Sequence, residues 1–269
     1  MSERDTYPAG VPCWISNLQR DVPAARRFYE GIFGWTTAGP DGVPDHEADY
    51  AVGRLRGRDV AGIGALPESA GDMAPAWVTE VRVDDLRDAT ERVAAAGGTI
   101  VEAEVDFTPI GRLAVFTDPE GAPLCLWEAG RRQGAQVINE PGAWSMSMLE
   151  TADPERAARF YGAVFGWEPE PFGPMTLLRR PGYVGGEPEQ PVPRDVVAVM
   201  APKPDHDTAP ARWGVDFWAA DAAATAANAE RLGGRVLVPP HDAPPFRQAV
   251  LADPGGAAFS VSELVTPPA

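Results

Sequence analysis

Few side chains in this chain could do chemistry, and two of them form a pair. Glu80 and Asp216 stand 136 positions apart, each in an apolar, strand-like run. A carboxylate among apolar neighbours could act as a general base or hold a cationic group of a ligand. The plainer expectation is an acid at a cavity mouth, or one paired with Arg82 or Arg247. Cys125 could act as a thiolate, yet nothing nearby in sequence lowers its pKa, and a thiol on a strand is usually a small core residue. The histidines, His46, His206 and His241, fall in Pro- or Asp-rich segments that read as exposed loops. No Gly-rich phosphate loop and no Gly-x-Ser-x-Gly elbow occurs, so nucleotide cofactors and serine-hydrolase chemistry have no support.

The elements that position these residues repeat. Arg27-Phe28-Tyr29-Glu30-Gly31-Ile32-Phe33-Gly34-Trp35 returns 132 residues later as Arg159-Phe160-Tyr161-Gly162-Ala163-Val164-Phe165-Gly166-Trp167. Asp118-Pro119-Glu120-Gly121-Ala122 returns at an offset of 135 as Asp253-Pro254-Gly255-Gly256-Ala257, and Gly97-Gly98 returns at 136 as Gly233-Gly234. Matches that keep order and offset mark two homologous halves. We place them at 8–130 and 138–265, with a polar, Gly-containing seam at Ala129 to Gly142 suited to a linker.

Within each half a short strand (Val11 to Leu18, Trp144 to Glu150) precedes a helix capped by Asp21 or Asp153, with Pro23 or Pro154 in its first turn. Gly34 and Gly166 stop these helices. Strands follow at Tyr50 to Leu55 and Val60 to Leu66. A second unit then begins: strand Trp77 to Val83, helix Asp85 to Ala96, and strands Thr99 to Val105, Leu113 to Thr117 and Pro123 to Trp127. Each half is thus β-α-β-β-β twice. The Pro- and Gly-rich stretches Val184 to Arg194 and Ala201 to Ala211 are tolerated insertions or lids.

Composition limits the partners. Lys plus Arg is 23 and Asp plus Glu 39 in 269 residues, a net charge of −16, which disfavours phosphate backbones and anionic lipid. Two cysteines do not make a disulfide scaffold. No apolar run reaches membrane-helix length, and the polar N-terminus does not resemble a signal peptide. A cytoplasmic protein, monomeric or homodimeric, is expected.

Phe-Tyr-x-x-x-Phe-Gly-Trp after a capped strand, with Asp-Pro-x-Gly before a final strand, resembles the vicinal oxygen chelate superfamily. This group includes glyoxalase I, fosfomycin and bleomycin resistance proteins, and extradiol dioxygenases. The resemblance covers almost all of the chain. More narrowly, it points to a two-domain glyoxalase-like subgroup often labelled as hydroxylase or 27 kDa antigen. It implies an α+β fold of two tandem glyoxalase-like domains, each pairing two βαβββ units into an eight-stranded cup that holds the ligand.

Metal enzymes of the superfamily place His or Glu on the first strand of each unit and Glu on the last, for a divalent ion that binds neighbouring substrate oxygens. Carried onto this chain, those positions are Trp14, Val78 and Cys125, then Met146, Gly214 and Ser260. None is His, Asp or Glu, so no metal and no other cofactor is expected. Glu80 and Asp216 lie two residues past Val78 and Gly214, on the same strand face. The other cup-facing positions, Trp14, Trp127, Met146, Met148 and Trp218, suit a flat or flexible apolar molecule or ordinary core filling. The expected function is a metal-independent glyoxalase-like protein that binds and transforms a small organic molecule, with the first, more rigid cup favoured for chemistry. A resistance-type sequestering protein and a metal-dependent lyase or dioxygenase with relocated ligands are the alternatives.

Overall fold

In the computed structural model, residues 4–40, 49–68, 71–185, 193–204 and 206–265 are described. The first half runs β1 (Pro12–Gln19), α1 (Val22–Phe33), β2 (Thr36–Ala38), β3 (Tyr50–Leu55) and β4 (Arg58–Ala65). Its second unit is β5 (Ala76–Val83), α2 (Leu86–Ala95), β6 (Thr99–Asp106), β7 (Gly111–Thr117) and β8 (Pro123–Ala129). The other half repeats this as β9 (Trp144–Thr151), α3 (Pro154–Phe165), β10 (Glu168–Phe172), β11 (Met175–Arg179), β12 (Val196–Pro202), β13 (Arg212–Trp218), α4 (Ala222–Arg231), β14 (Arg235–Ala243), β15 (Phe246–Ala252) and β16 (Ala258–Leu264). The strands form two eight-stranded sheets, ordered β2-β3-β4-β1-β5-β8-β7-β6 and β10-β11-β12-β9-β13-β16-β15-β14. Each sheet is drawn from one half, and this is the tandem cup architecture.

The caps follow the sequence. The Asp21 and Asp153 side chains accept from Ala24 and Arg156 N–H, and Gly34 and Gly166 close α1 and α3 at φ of 71°. That left-handed conformation is open to glycine at little cost.

The repeated Phe-Tyr pairs pack within their own half and also reach across to the opposite one. Phe28 and Tyr29 meet Phe259 at ring-centroid distances of 6.2 and 5.8 Å, and Phe160 meets Phe116 at 6.1 Å. The Tyr29 hydroxyl donates to the Asp253 carboxylate at 2.9 Å and accepts from Trp77 Nε1 at 3.0 Å. Tyr161 does the same with Asp118 at 2.9 Å and Trp213 at 2.9 Å. Each Asp-Pro-x-Gly turn is thereby a buried acceptor for the tyrosine of the other half, and the two halves share one core. Tyr29→Phe strands Trp77 Nε1 and removes a charge-assisted bond, so it should cost about 2 kcal/mol in denaturant unfolding. A loss below about 0.5 kcal/mol would mean that the halves are joined by apolar packing alone.

Three expectations change. The seam is not a loose linker: Ala135, Val137 and Ile138 are buried, and Ala135 and Gln136 N–H donate to the carbonyls of Cys13 and Asp59. Its Gly and polar residues let an apolar strap bend along the first sheet. His241 lies on exposed strand β14, not in a loop, and His206 sits in an exposed turn. His46 and residues 186–192 of one Pro/Gly stretch fall outside the described residues, while Ala201 and Pro202 extend β12.

Candidate functional site

Register aligns the two cups row by row. Glu80 on β5 pairs with Trp14 on β1 and Cys125 on β8. Asp216 on β13 pairs with Met146 on β9 and Ser260 on β16. A bulge shifts register at the start of β1 and again near Asp216, and it brings Cys13 and Ser145 to their row's acid. Cys13 Sγ donates to the Glu80 carbonyl at 3.4 Å. Ser145 Oγ lies 3.1 Å from the Asp216 carbonyl and 2.5 Å from its Oδ2.

The first cup is filled by its own side chains. Arg132 reaches back from the strap, and its Nη2 is 2.7 Å from Glu80 Oε2. Its guanidinium lies over Trp127 at 3.8 Å and Trp14 at 4.7 Å from the ring centroids. Burial disfavours the Arg132 cation, but the Glu80 carboxylate, Tyr50 and Cys13 together more than offset this and hold its pKa above the usual range. Trp14 Nε1 donates to the Tyr50 hydroxyl at 2.9 Å, Tyr50 meets Ser16 at 3.0 Å, and Ser16 donates to Glu80 Oε1 at 3.0 Å. Tyr50 fits because β4 offers glycines beneath it; a Cβ on Gly62 would lie 1.8 Å from its hydroxyl. Glu80, Trp14, Cys125 and Trp127 are all buried, and Val78 is half-buried. Burial, then the nearby Glu80 charge, pushes the Cys125 thiol far above its ordinary range, so it carries no thiolate at neutral pH.

The second cup is built on smaller or softer residues. Trp14 is replaced by Met146, Cys125 by Ser260 and Trp127 by Ser262. Met146, Met148, Gly214 and Ser260 are partly exposed along the concave face. Trp218 is nearly buried and packs on Phe246 at 5.6 Å between ring centroids. Asp216 itself is buried. It receives hydrogen bonds from Ser145 at 2.5 Å and Ser262 at 2.8 Å, and Gln248 supports Ser262 at 3.0 Å. Burial raises the Asp216 pKa to about 6, and the two serine bonds only partly oppose it.

The pairing expectation is corrected on both acids. Arg82 bonds Asp84, and Arg247 bonds Asp242. The partner of Glu80 is Arg132, and the partners of Asp216 are hydroxyls. Sequence reasoning also passed over Ser16, Tyr50, Ser145 and Ser262; only the repeat offset from Cys13 to Ser145 and from Trp127 to Ser262 signals the latter two. In the first cup the space and the acid are both used internally, by Arg132.

The donor set does not fit the divalent metal of the superfamily's enzymes. Indole, isopropyl, glycine and thioether at Trp14, Val78, Gly214 and Met146 supply no hard ligand, the Cys125 thiol stays protonated, and Ser260 offers only a neutral hydroxyl. Among the described residues no group of three or more His, Cys, Asp or Glu is placed to hold a metal ion.

Comparison with known proteins agrees with the architecture. The profile of the glyoxalase-like domain matches residues 15–127 and 146–262. "Putative glyoxylase CFP32" of Mycobacterium tuberculosis is 36% identical over 274 residues, covering 97% of each chain. "Anthracycline biosynthesis protein DnrV" of Streptomyces peucetius is 32% identical over 278 residues, covering 96% of this chain and 94% of that one. The Mn(II)-bound glyoxalase from Novosphingobium aromaticivorans superposes with a TM-score of 0.63 at 17% identity, over 99% of this chain and 84% of that one. The 2,3-dioxygenase LapB from Pseudomonas sp. KL28 gives 0.62 at 12% identity, over 97% and 95%. These two share the fold. With both halves matched and relatives aligned end to end, the chain belongs to the glyoxalase-like domain family, as a tandem pair of such domains.

Proposed function

We propose that the second cup binds a small organic molecule and that Asp216 exchanges a proton with it, without the divalent metal of the wider superfamily. One observation carries this reading: Asp216 is a buried carboxyl with two hydroxyl donors, no ion pair among the described residues, and a pKa of about 6. A carboxyl poised there changes protonation near neutrality and can take a proton from carbon or oxygen next to a carbonyl, then return it. Ser145 and Ser262 hold both of its oxygens. Met146, Met148 and Trp218 give an apolar wall for a flat or flexible ligand, and Gly214 and Ser260 leave room for it. The relatives' names, one a glyoxylase and one from anthracycline biosynthesis, support carbonyl compounds and flat polycyclic ketones as the classes to try.

The test is a panel of 1,2-dicarbonyls, α-hydroxycarbonyls and polycyclic aromatic ketones, measured for binding and for turnover. Asp216→Asn should lower turnover about 10²-fold or more while the Kd changes less than threefold. The wild-type rate should rise with pH through an apparent pKa near 6 and persist in excess chelator. Full turnover in Asp216→Asn, or activity lost on chelation and restored by a metal, would defeat the proposal. Binding with no turnover at any pH would make the chain a sequestering protein.

A further inference from the structure

We infer that the ligand of the second cup is a hydroxylated aromatic ketone, and that Gln248 selects it by accepting a hydrogen bond from the ligand's hydroxyl. The inference rests on the reading of that cup as the binding site. Register sets the place. Gln248 on β15 pairs with Ser262 on β16 and with His241 on β14, and Ser262 pairs with Trp218 on β13. Paired residues share a sheet face, and Ser262 turns to Asp216, so this row lies on the concave side. It runs directly beside the row of Asp216, Ser260 and Val250.

Chemistry fixes which end of the Gln248 amide faces the ligand. Ser262 donates its one proton to Asp216 Oδ1 at 2.8 Å, so its oxygen is left to accept. Gln248 Nε2 fills that need at 3.0 Å. Turning the amide over would set two acceptors, Oε1 and Ser262 Oγ, against each other. Oε1 therefore points away from Ser262. It accepts nothing from the described residues and is not sealed from solvent, and Gln248 itself is half-buried. A held acceptor that opens to the cup favours a ligand with a donor at that spot.

The repeat shows that this polarity belongs to the second cup. At an offset of 135, Gln248 stands for Leu113 and Ser262 for Trp127, which pair with each other in the first cup. At 136, His241 stands for Val105, which pairs with Leu113. Three apolar wall residues have become hydrogen-bonding ones beside Asp216. The remaining wall of Met146, Met148 and Trp218 suits a flat ring. An amine would arrive as a cation, pair with the Asp216 carboxylate and hold it ionised. A carboxylate offers Oε1 no donor and is repelled by Asp216. A neutral hydroxyl on an aromatic body meets each condition, and the ketone supplies the carbon acid on which Asp216 acts.

The probes are 5-hydroxy- and 7-hydroxy-1-tetralone at pH 7, each beside its methoxy counterpart, which keeps the ring and the oxygen and loses the donor. Calorimetric titration of the full chain should give at least one hydroxy compound a Kd about 5- to 10-fold below that of its counterpart. Gln248→Leu, which installs the first cup's residue, should bring that ratio within about twofold. Lost support for Ser262 weakens both compounds of a pair alike and leaves the ratio untouched. Gln248→Met takes its place should that variant not fold. Equal affinity for hydroxy and methoxy compounds, a preference that survives without Gln248, or no saturable binding of any of the four would overturn the inference. Deuterium uptake at the carbon beside the ketone reports on Asp216 separately. Uptake catalysed by the wild type and lost in Asp216→Asn, with no hydroxyl preference, would end this inference and leave the proton transfer standing. A Gln248-dependent preference without uptake would support this inference and end the proton transfer.

Discussion

Arg132→Ala is expected to destabilise the protein by about 3–5 kcal/mol, the loss found when one partner of a buried ion pair is removed. Glu80 is left with a 4% exposed side chain and no cation; its remaining donor is Ser16. Trp14 and Trp127 lose the guanidinium packed between them, and a cavity opens in the first cup. Two further variants separate charge from packing. Arg132→Met keeps much of the volume and should remain strongly destabilising. Arg132→Met combined with Glu80→Gln should recover most of the loss, because a well-packed neutral pair can replace a buried salt bridge at little net cost. Urea unfolding at one pH measures all three. A single-variant loss under 1 kcal/mol, or a double variant no better than Arg132→Met, would show that the pair is not what closes the first cup.

This closing residue marks where sequence reasoning stopped. The repeat, the caps at Asp21 and Asp153, the glycine stops and the alternation of β1, β5 and β8 are local, and local pattern is what a chain displays. The inward faces of Glu80 and Asp216 followed from alternation alone. What filled each cup did not. Arg132 lies in a stretch without period, 52 residues from Glu80, and nothing in its neighbours announces that it turns into the sheet. Tyr29 and Asp253 are 224 residues apart, and their repeat-equivalents invite the wrong pairing, within a half, as readily as the true one across it. Ser145 faces its acid only because a bulge breaks the alternation that otherwise sends it outward. The asymmetry of the cups was nonetheless written in the offsets: Trp14 to Met146 and Trp127 to Ser262 each exchange a filling residue for a smaller or softer one.

That asymmetry sets a cost on the second cup, and Asp216→Asn should reveal it. The carboxyl has a reference pKa of 3.8 and a folded value of about 6. Below pH 3.8 it is protonated in both states and contributes nothing to the pH dependence. Between 3.8 and 6 the unfolded chain ionises first, so stability falls as pH rises. Above 6 both states are ionised and the penalty levels at roughly 3 kcal/mol. Asparagine has no such penalty, and the Ser145 and Ser262 hydroxyls can turn to accept from its amide. The variant should therefore match the wild type near pH 4 and exceed it by up to about 3 kcal/mol at pH 7–8, while losing the proton transfer proposed for this residue. Other groups titrate alike in both proteins and cancel in the difference. Thermal or urea unfolding of the two at matched pH gives the curve. A difference independent of pH, or an asparagine variant less stable throughout, would mean that Asp216 is held by its serines as a comfortable anion. The second cup would then lack the strained acid on which its chemistry depends.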